Sequence, residues 1–600
     1  MKNKLTDIKD VKFILYEQFR MEKLCNSGKF KDHSKETFEM IIDAAVKLAL
    51  NDFEPVNREG DELGCTWQDG NVRVPEPYHA PYKKYCEGGW LSMPEDYGVG
   101  GQNVPMMLDF ACREILFAGC HSLIGYMGLT HSAAKVIELY GTEEQKKKYM
   151  HPLYSGIFAG TMDLTEAQAG SDVGAILTKA KKNTDGSYSI EGGKIFITGG
   201  EHNLTKNIIH IVLARIEGHA EGTRGLTCFI VPKIMVNEDG TLGRPNDVKC
   251  LGIEHKMGMK GSSTCALSFG ENGKCIGELL GKEQRGIAVM FAMMNEQRVL
   301  VGLQGLAQAS AAYLHALEYA YERRQGSKFG KDDYEQVPII EHPDVKRNVL
   351  WMKAYTEGMR ALVLYVMYCM DKVTISTDEK EKNKYQYIVE VLTPICKAYC
   401  TDKGYDVCTR AIQVLGGYGY CSEYKVEQFA RDCKITSIYE GTNGIQALDL
   451  FGRKIRMKNG AALKALLTEI DNTIEDTLKV SELIPYAEEV RRSVSSLSDL
   501  TARLIEASSS GDAYLAYSWA TPYLEIFGDV ILGWLFLWQA KVAHDGELTA
   551  SINGKFYTSK VNIAKFYIGS LLPAVYGKID TIMKNDQSLL NLEEDFFATR

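Results

Sequence analysis

The chain has 600 residues, 45% hydrophobic and 24% charged, with a formal net charge of −9, the composition of an ordinary globular protein of about four domain-sized units. The basic runs at 146–148 and 453–458 are short solvated helix ends or faces, so nothing in the charge pattern suggests a nucleic-acid partner. Fifteen cysteines include no C-x-x-C pair, which argues against a zinc site or a disulfide framework; no metal is expected, and the thiols suit a reducing cytoplasm.

In chain order, the first residues carry no apolar h-region and no Arg/Ser-rich leader, so a cytoplasmic protein is expected. Residues 1–155 read as an N-terminal helical domain, with a mostly apolar face over Ile41–Leu50. A Gly/Pro/Tyr-rich stretch from Asp69 to Gln102 interrupts it, and Trp90 within it is read as packing beneath a loop. Residues 156–285 change texture. Short β-branched runs at Lys194–Thr198, Ile208–Ala214 and Leu226–Val231, separated by Gly, Asn and Asp turns, predict a middle β-domain. Residues 286–454 return to long amphipathic helices and predict a C-terminal helical bundle. Residues 455–600 read as an additional helical domain with a Ser-rich break at 508–510 before Gly511. The longest apolar run, Val530 to Trp538, is far shorter than the ~20 residues a membrane span needs, so it is read as a core helix, with direct contact of the extension with a membrane surface kept as the lesser reading. Cys396 and Cys400, one helical turn apart, are read as small buried apolar residues. The predicted class is α+β, mostly α.

The most informative stretch is Ile438-Tyr439-Glu440-Gly441-Thr442-Asn443-Gly444-Ile445-Gln446. It places one carboxylate in a short loop, against a glycine, immediately before a helix that Thr442 can cap. A carboxylate held there by backbone is well placed to take a proton from a substrate; the plainer reading is an acidic residue at the positive end of a helix dipole. Tyr439-Glu440-Gly441-Thr442 resembles the base-bearing loop of the acyl-CoA dehydrogenases, flavoenzymes that desaturate acyl thioesters. Leu164-Thr165-Glu166-Ala167-Gln168-Ala169-Gly170-Ser171-Asp172, Lys194–Gly200 and Ile412–Gly419 resemble, in order, three flavin-binding stretches of the same family. Gly89-Trp90 and Met93–Gly98 resemble its N-terminal domain. The extension, the Gly-Thr-Asn-Gly-Ile-Gln ending and His342-Pro343-Asp344-Val345 resemble the family's long group.

The resemblance implies the fold of that family with an extra C-terminal helical domain. It also implies an FAD-dependent oxidoreductase of fatty acid β-oxidation that converts an acyl-CoA to the trans-2-enoyl-CoA. Glu440 would remove the α-proton while the β-hydride goes to the flavin N5, and electrons would pass to an electron-transfer flavoprotein. Thr165 and Thr198 match threonines that bond the flavin ring, and Met162 and Leu164 match positions whose main chain lines it. Phe196 sits where many relatives have a tryptophan packed on the ring. Ser171 matches a residue at the boundary of pyrophosphate and CoA. Arg323, Gln413, Gly416 and Gly417 match residues reaching the FAD of a neighbouring subunit, which implies a homodimer. Thr442 joins the cofactor set, and Ser171, Arg298, Tyr439 and Gly441 form the substrate set; Arg298 reads equally as a salt-bridged core arginine.

A minority of the family carries its base at the position matched here by Gln297, which cannot deprotonate carbon. Glu296 beside it would point about 100° away on a helix. Arg323-Arg324-Gln325-Gly326 departs from the Arg-x-Thr-Phe of shorter relatives, and Gly444 replaces a common Gln or Glu. Two other readings stay open: a flavin-binding non-dehydrogenase with a binding or protective role, and an acyl-CoA oxidase. The extension is expected to cover the surface by which shorter relatives pair dimers into tetramers. The expected substrate is a short or medium acyl chain, one bearing a sulfur or a ring included.

Overall fold

The computed structural model describes residues 3–26, 28–331, 334–509, 513–549 and 554–591, without side-chain detail for 292–294 and 547–549. Ser510 and Gly511 of the predicted break lie outside the described residues. The chain forms two compact units, Met1–Leu5 with His33–Gln297 and Thr6–Asp32 with Arg298–Arg600. The class is α+β and mostly α, with the helical, β and helical texture in the predicted order.

The first unit opens with α1 (Lys35–Leu48), capped by Ser34, whose side chain accepts from Thr37 N. Its buried residues Phe38, Ile42 and Ala45 recur at helical spacing and form one face. The stretch read as an irregular interruption holds more structure than its Gly and Pro content suggests. It contains the turn and second strand of the hairpin Thr66–Gln68/Asn71–Arg73 and the helix His79–Glu87, which buries Tyr82 and Tyr85. Trp90 stacks on Tyr85 with ring centroids 6.4 Å apart. Two apolar helices follow, α2 (Met106–Gly119) and α3 (His121–Tyr140).

The sheet of this unit comprises β1 (Phe158–Asp163), β2 (Lys179–Lys182), β3 (Tyr188–Thr198), β4 (Asn207–Ile216), β5 (Leu226–Pro232), β6 (Val248–Ile253), β7 (Thr264–Phe269) and β8 (Ile276–Leu280). Its order is β6-β7-β3-β8-β5-β4-β1, with β2 beside β3 and β4. β1 runs parallel to β4, in the register Thr161↔His210 and Met162↔Ile211. β4 is mostly apolar and buried along nearly its whole length because both its faces are covered. Ile209, Ile211 and Leu213 join a core with Ala133 and Ile137 of α3, whereas Val212, Ala214 and Ile216 join Tyr188, Phe229 and Phe269 on the other side. β3 is longer than the predicted run Lys194–Thr198 because Gly192-Gly193 lies inside the strand. A Cβ at Gly192 would stand 2.6 Å from Thr178 Oγ1, so the glycine lets the neighbouring segment pass.

The second unit is built on long helices. α4 (Gly286–Glu322) is divided between the units after Gln297, and α5 (Pro343–Ile375) and α6 (Glu379–Leu415) lie wholly in the second. α4 and α6 touch backbone to backbone. A Cβ at Gly302 would lie 2.6 Å from the Cys396 carbonyl oxygen, one at Gly305 2.8 Å from that of Cys400, and one at Gly404 2.6 Å from that of Gly305. The three glycines therefore fix the depth at which α6 sits against α4.

The extension packs on this bundle. Gly528 of α8 (Ala520–Thr549) lies against the Tyr399 ring, and Asp529 accepts from Tyr399 Oη and, at 2.8 Å, from Lys578 Nζ. Trp534 is fully buried, edge-on to Tyr365 at 5.1 Å. α8 is long and apolar enough to cross a membrane by composition, yet 83% of that apolar window is buried in the fold. Val530–Trp538 is a core helix, as read.

The N-terminal segment joins the same unit through a buried ionic group. Asp10 accepts from Arg360 and, at 2.6 Å, from Lys560 of α9 (Gly554–Phe566); Lys560 also donates to Glu357 at 2.7 Å.

Gly305→Val should wedge α4 from α6 and destabilise the protein by about 1–3 kcal/mol, as overpacking does, measured by urea unfolding. Gly444→Ala, whose added Cβ meets only Thr442 Oγ1 at 3.9 Å, is the matched control and should change little.

Candidate functional site

The loop bearing Glu440 is shaped by its own residues. Thr442 caps α7 (Asn443–Gly452), its side chain accepting from Ile445 N at 3.3 Å. Glu440 and Gly441 both have positive φ, 56° and 83°. Such a conformation in a non-glycine residue costs on the order of 1 kcal/mol and clusters at functional sites. A Cβ at Gly441 would stand 2.7 Å from Gln446 Nε2, the atom that bonds the carbonyls of Glu440 and Gly441 at 3.3 Å each. Tyr439 Oη donates to Gln304 Oε1, holding the loop from its other end.

Glu440 is partly open to solvent, though protein surrounds it closely. Among the described residues no cation comes within 4.0 Å of its carboxylate, and its backbone N–H has no acceptor. Desolvation pushes the carboxyl above the usual carboxylate range, while Lys397 and then Arg298 pull it the other way from a distance. Arg298 is 4% exposed and pairs with Asp449 Oδ2 of α7 at 3.1 Å. The structure thus gives it the salt-bridged core position, with its charge near Glu440. Gln297 donates to Ser132 Oγ. Glu296 lies 3.4 Å from His131 Nε2, which is equally far from Glu95, so that carboxylate is absorbed in a buried ionic cluster.

In the first unit, Met162, Leu164, Thr165, Ser171, Phe196 and Thr198 all keep exposed surface. The main chain of Leu164 and Thr165 is bound to β3. Lys194 Nζ donates to Leu164 O at 3.0 Å and Ile195 N to Thr165 O at 2.9 Å. Glu166 holds the rest of the loop, accepting from Lys194 Nζ at 2.8 Å, Leu177 N at 2.6 Å and Thr178 N at 3.0 Å. Desolvation of that carboxyl is outweighed by Lys194 and these bonds, which bring it down to about 2. Phe196 stands outward, 58% exposed, on a left-handed backbone with φ 59°. An exposed apolar ring, with Thr165 and Thr198 also keeping exposed surface, fits a flat heteroaromatic group such as a flavin. The sequence marks neither Glu166 nor Lys194 as a site residue. Their signal is one acidic residue in the first flavin-binding motif and one lysine opening the second, which only the fold pairs.

A third cluster lies in the second unit. Arg323, Gln413, Gly416 and Gly417 are exposed, and the Arg323 guanidinium lies 5.9 Å from the Tyr418 ring. The structure therefore brings Arg323 to the Gly416–Tyr420 turn. Gly416 has φ 63°, whereas Gly417 is unconstrained; the crowded glycine is Gly419, where a Cβ would meet Ile412 O at 2.3 Å. Cavities of about 440 and 330 Å³ elsewhere are lined by none of these residues.

Residues 35–157, 161–271 and 284–454 match the N-terminal, middle and C-terminal domains of acyl-CoA dehydrogenase, and 466–593 match an acetyl-CoA dehydrogenase C-terminal-like domain. A butyryl-CoA dehydrogenase of Syntrophomonas wolfei is 36% identical over 99% of both chains. A 3-methylmercaptopropionyl-CoA dehydrogenase of Ruegeria pomeroyi is 34% identical over 89% of this chain and 90% of its own. The solved structure of a Bacillus anthracis acyl-CoA dehydrogenase complexed with FAD superimposes with a TM-score of 0.70 at 22% identity, covering 94% of this chain and 90% of that one.

Glu166→Gln should leave the Lys194 ammonium buried without a counter-charge and destabilise the protein by about 3–5 kcal/mol near neutral pH. The wild-type carboxyl is lower in the folded state, so its contribution is full above about 4.5 and lost as pH falls through about 2. Urea unfolding of both proteins should show their gap closing across that window.

Proposed function

The chain belongs to the acyl-CoA dehydrogenase family of oxidoreductases, and we propose that it desaturates an acyl-CoA thioester to the trans-2-enoyl-CoA with Glu440 as the base. The observation that carries this reading is a carboxylate of raised proton affinity with no counter-ion in contact, set on a strained loop whose backbone N–H is unused. An α-C–H beside a thioester is a very weak acid. The site must therefore stabilise negative charge on the carbonyl oxygen as the proton leaves. The free N–H of Glu440 serves as that donor, and the carboxylate of the same residue takes the proton. Gly441 leaves the backbone bare for the thioester to approach, and Tyr439, tied to Gln304, keeps the loop in place.

FAD, when bound, supplies the acceptor for the β-hydride. Met162, Leu164, Thr165, Phe196 and Thr198 would hold its ring end and Ser171 the boundary between its pyrophosphate and CoA, with Thr442 contributing. Arg323, Gln413, Gly416 and Gly417 of a second copy would hold the adenosine end, which makes the enzyme a homodimer. Ser171 and Arg298 complete the substrate side, Arg298 through its charge. The electrons pass to an electron-transfer flavoprotein. Matches to butyryl-CoA dehydrogenases along the whole chain support a short linear acyl group and a place in fatty acid β-oxidation. Fifteen free cysteines suit a cytoplasmic setting. The extension acts as a structural cover on the bundle, and sedimentation should give a dimer.

Anaerobic addition of butyryl-CoA to the purified protein should bleach its visible flavin band. Glu440→Gln should retain the yellow colour and bleach roughly 10²–10⁴-fold more slowly, the usual loss for a positioned base. Wild-type speed in that variant removes Glu440 from the mechanism, and a protein that takes up no FAD sinks the reading.

A further inference from the structure

Lys397 is a charge with no charged partner in reach. It lies in α6, its side chain is fully buried, and among the described residues no carboxylate comes within 4.0 Å of its ammonium. Nζ donates at 2.9 Å to Asn443 Oδ1. Asn443 is the first residue of α7, three positions after Glu440, and its own amide is fixed by bonds to Ala398 O at 3.1 Å and Thr401 Oγ1 at 2.9 Å. α6 therefore grips the base loop through one asparagine and sets an ammonium directly behind it. The glycine contacts with α4 flank this point, Cys396 on one side and Cys400 on the other, so the depth of Lys397 is set by backbone contact.

A lysine kept solely to bond an amide is an expensive choice for a buried site, because desolvating an ammonium costs several kcal/mol unless a nearby charge offsets it. The charges acting on Lys397 are Glu440 and, on its own helix, Asp402, which favour the ammonium, and Arg298 of α4, which opposes it. Arg298 is itself offset by Asp449, which Arg453 also holds. Lys397 is the leading positive charge on Glu440.

We propose that Lys397 is a positioning residue for the reaction, holding Glu440 ionised in the resting enzyme by its charge and fixing the loop through Asn443. The inference rests on the reading of Glu440 as the base. Burial draws the Lys397 ammonium down to about 7, against the pull of Glu440 and then Asp402. A closer carboxylate, or an Arg298 freed from Asp449, would give a tighter pair and a carboxylate too well stabilised to accept a proton from carbon. A neutral residue would leave the base protonated over more of the working pH range.

The test uses FAD-loaded enzyme and the pH dependence of kcat/KM for butyryl-CoA with an artificial electron acceptor, because that profile reports the free enzyme's base. Lys397→Met removes charge and hydrogen bond together, and Lys397→Gln removes the charge while keeping an amide donor for Asn443. Both should move the acidic limb to higher pH by about one unit or more, the effect of losing an opposite charge nearby. That corresponds to about tenfold lower kcat/KM below the limb, with convergence on wild type at high pH. An acidic limb that stays at the wild-type position in both variants, with Glu440→Gln inactive, overturns the role of Lys397 and leaves the reading of the base intact. A shift in the Met variant alone assigns the effect to the hydrogen bond and overturns the charge argument. Full turnover by Glu440→Gln overturns both. If the Met variant fails to fold, the Gln variant decides by the same comparison.

Discussion

A base that must accept a proton from carbon cannot have a counter-ion in contact, and it cannot be left in bulk water either. The second unit is organised around that constraint at Glu440. The carboxylate is crowded enough for burial to raise its proton affinity, and the two positive charges that act on it are each held by another partner, Lys397 by Asn443 and Arg298 by Asp449. Backbone takes over the work a salt bridge would otherwise do. The positive φ of Glu440 and Gly441, the Thr442 cap and the Gln446 bonds together specify where the carboxylate sits.

That loop is only as well placed as the helices behind it. α6 lies at a depth set by glycine-to-carbonyl contacts with α4, where no side-chain repacking can absorb an error. α8 and the short helix before it, Ala513–Ser518, cover α7, with Phe451 edge-on to Tyr517 of the short helix at 5.0 Å and to Tyr523 of α8 at 5.9 Å. The extension is thus part of the support for the base-bearing helix. The Asp10–Arg360–Lys560–Glu357 group adds a second tie, joining both ends of the chain to α5.

The first unit solves a different problem, which is to keep a polar loop rigid while leaving its outer surface bare. Glu166 and Lys194 do this from inside. Between them they satisfy the backbone of Leu164, Leu177 and Thr178, so that the side chains of Thr165, Ser171, Phe196 and Thr198 are not needed to hold the loop. An exposed aromatic ring on a strained backbone is the visible consequence, and it is the feature in this unit that packing alone does not account for.

Much of this was legible along the chain. Helical and alternating periodicities gave the class and the order of elements, since each depends on which faces a segment must bury. The Glu440 loop could be read because its chemistry is local: a carboxylate, a glycine that permits a left-handed turn, and a capping threonine fall within four residues. Tertiary structure alone decided the remainder. Residues 6–32 pack with the second unit although their pattern resembles the helices that follow, because the carboxylate of Asp10 is matched by cations 350 and 550 positions away. Lys397 carried no local signal, since a single lysine in a helix normally reaches solvent. Its burial behind Asn443 follows from the close crossing of α4 and α6. Local patterns record which face of a segment is buried, whereas the partner of a buried charge depends on contacts between segments far apart in sequence.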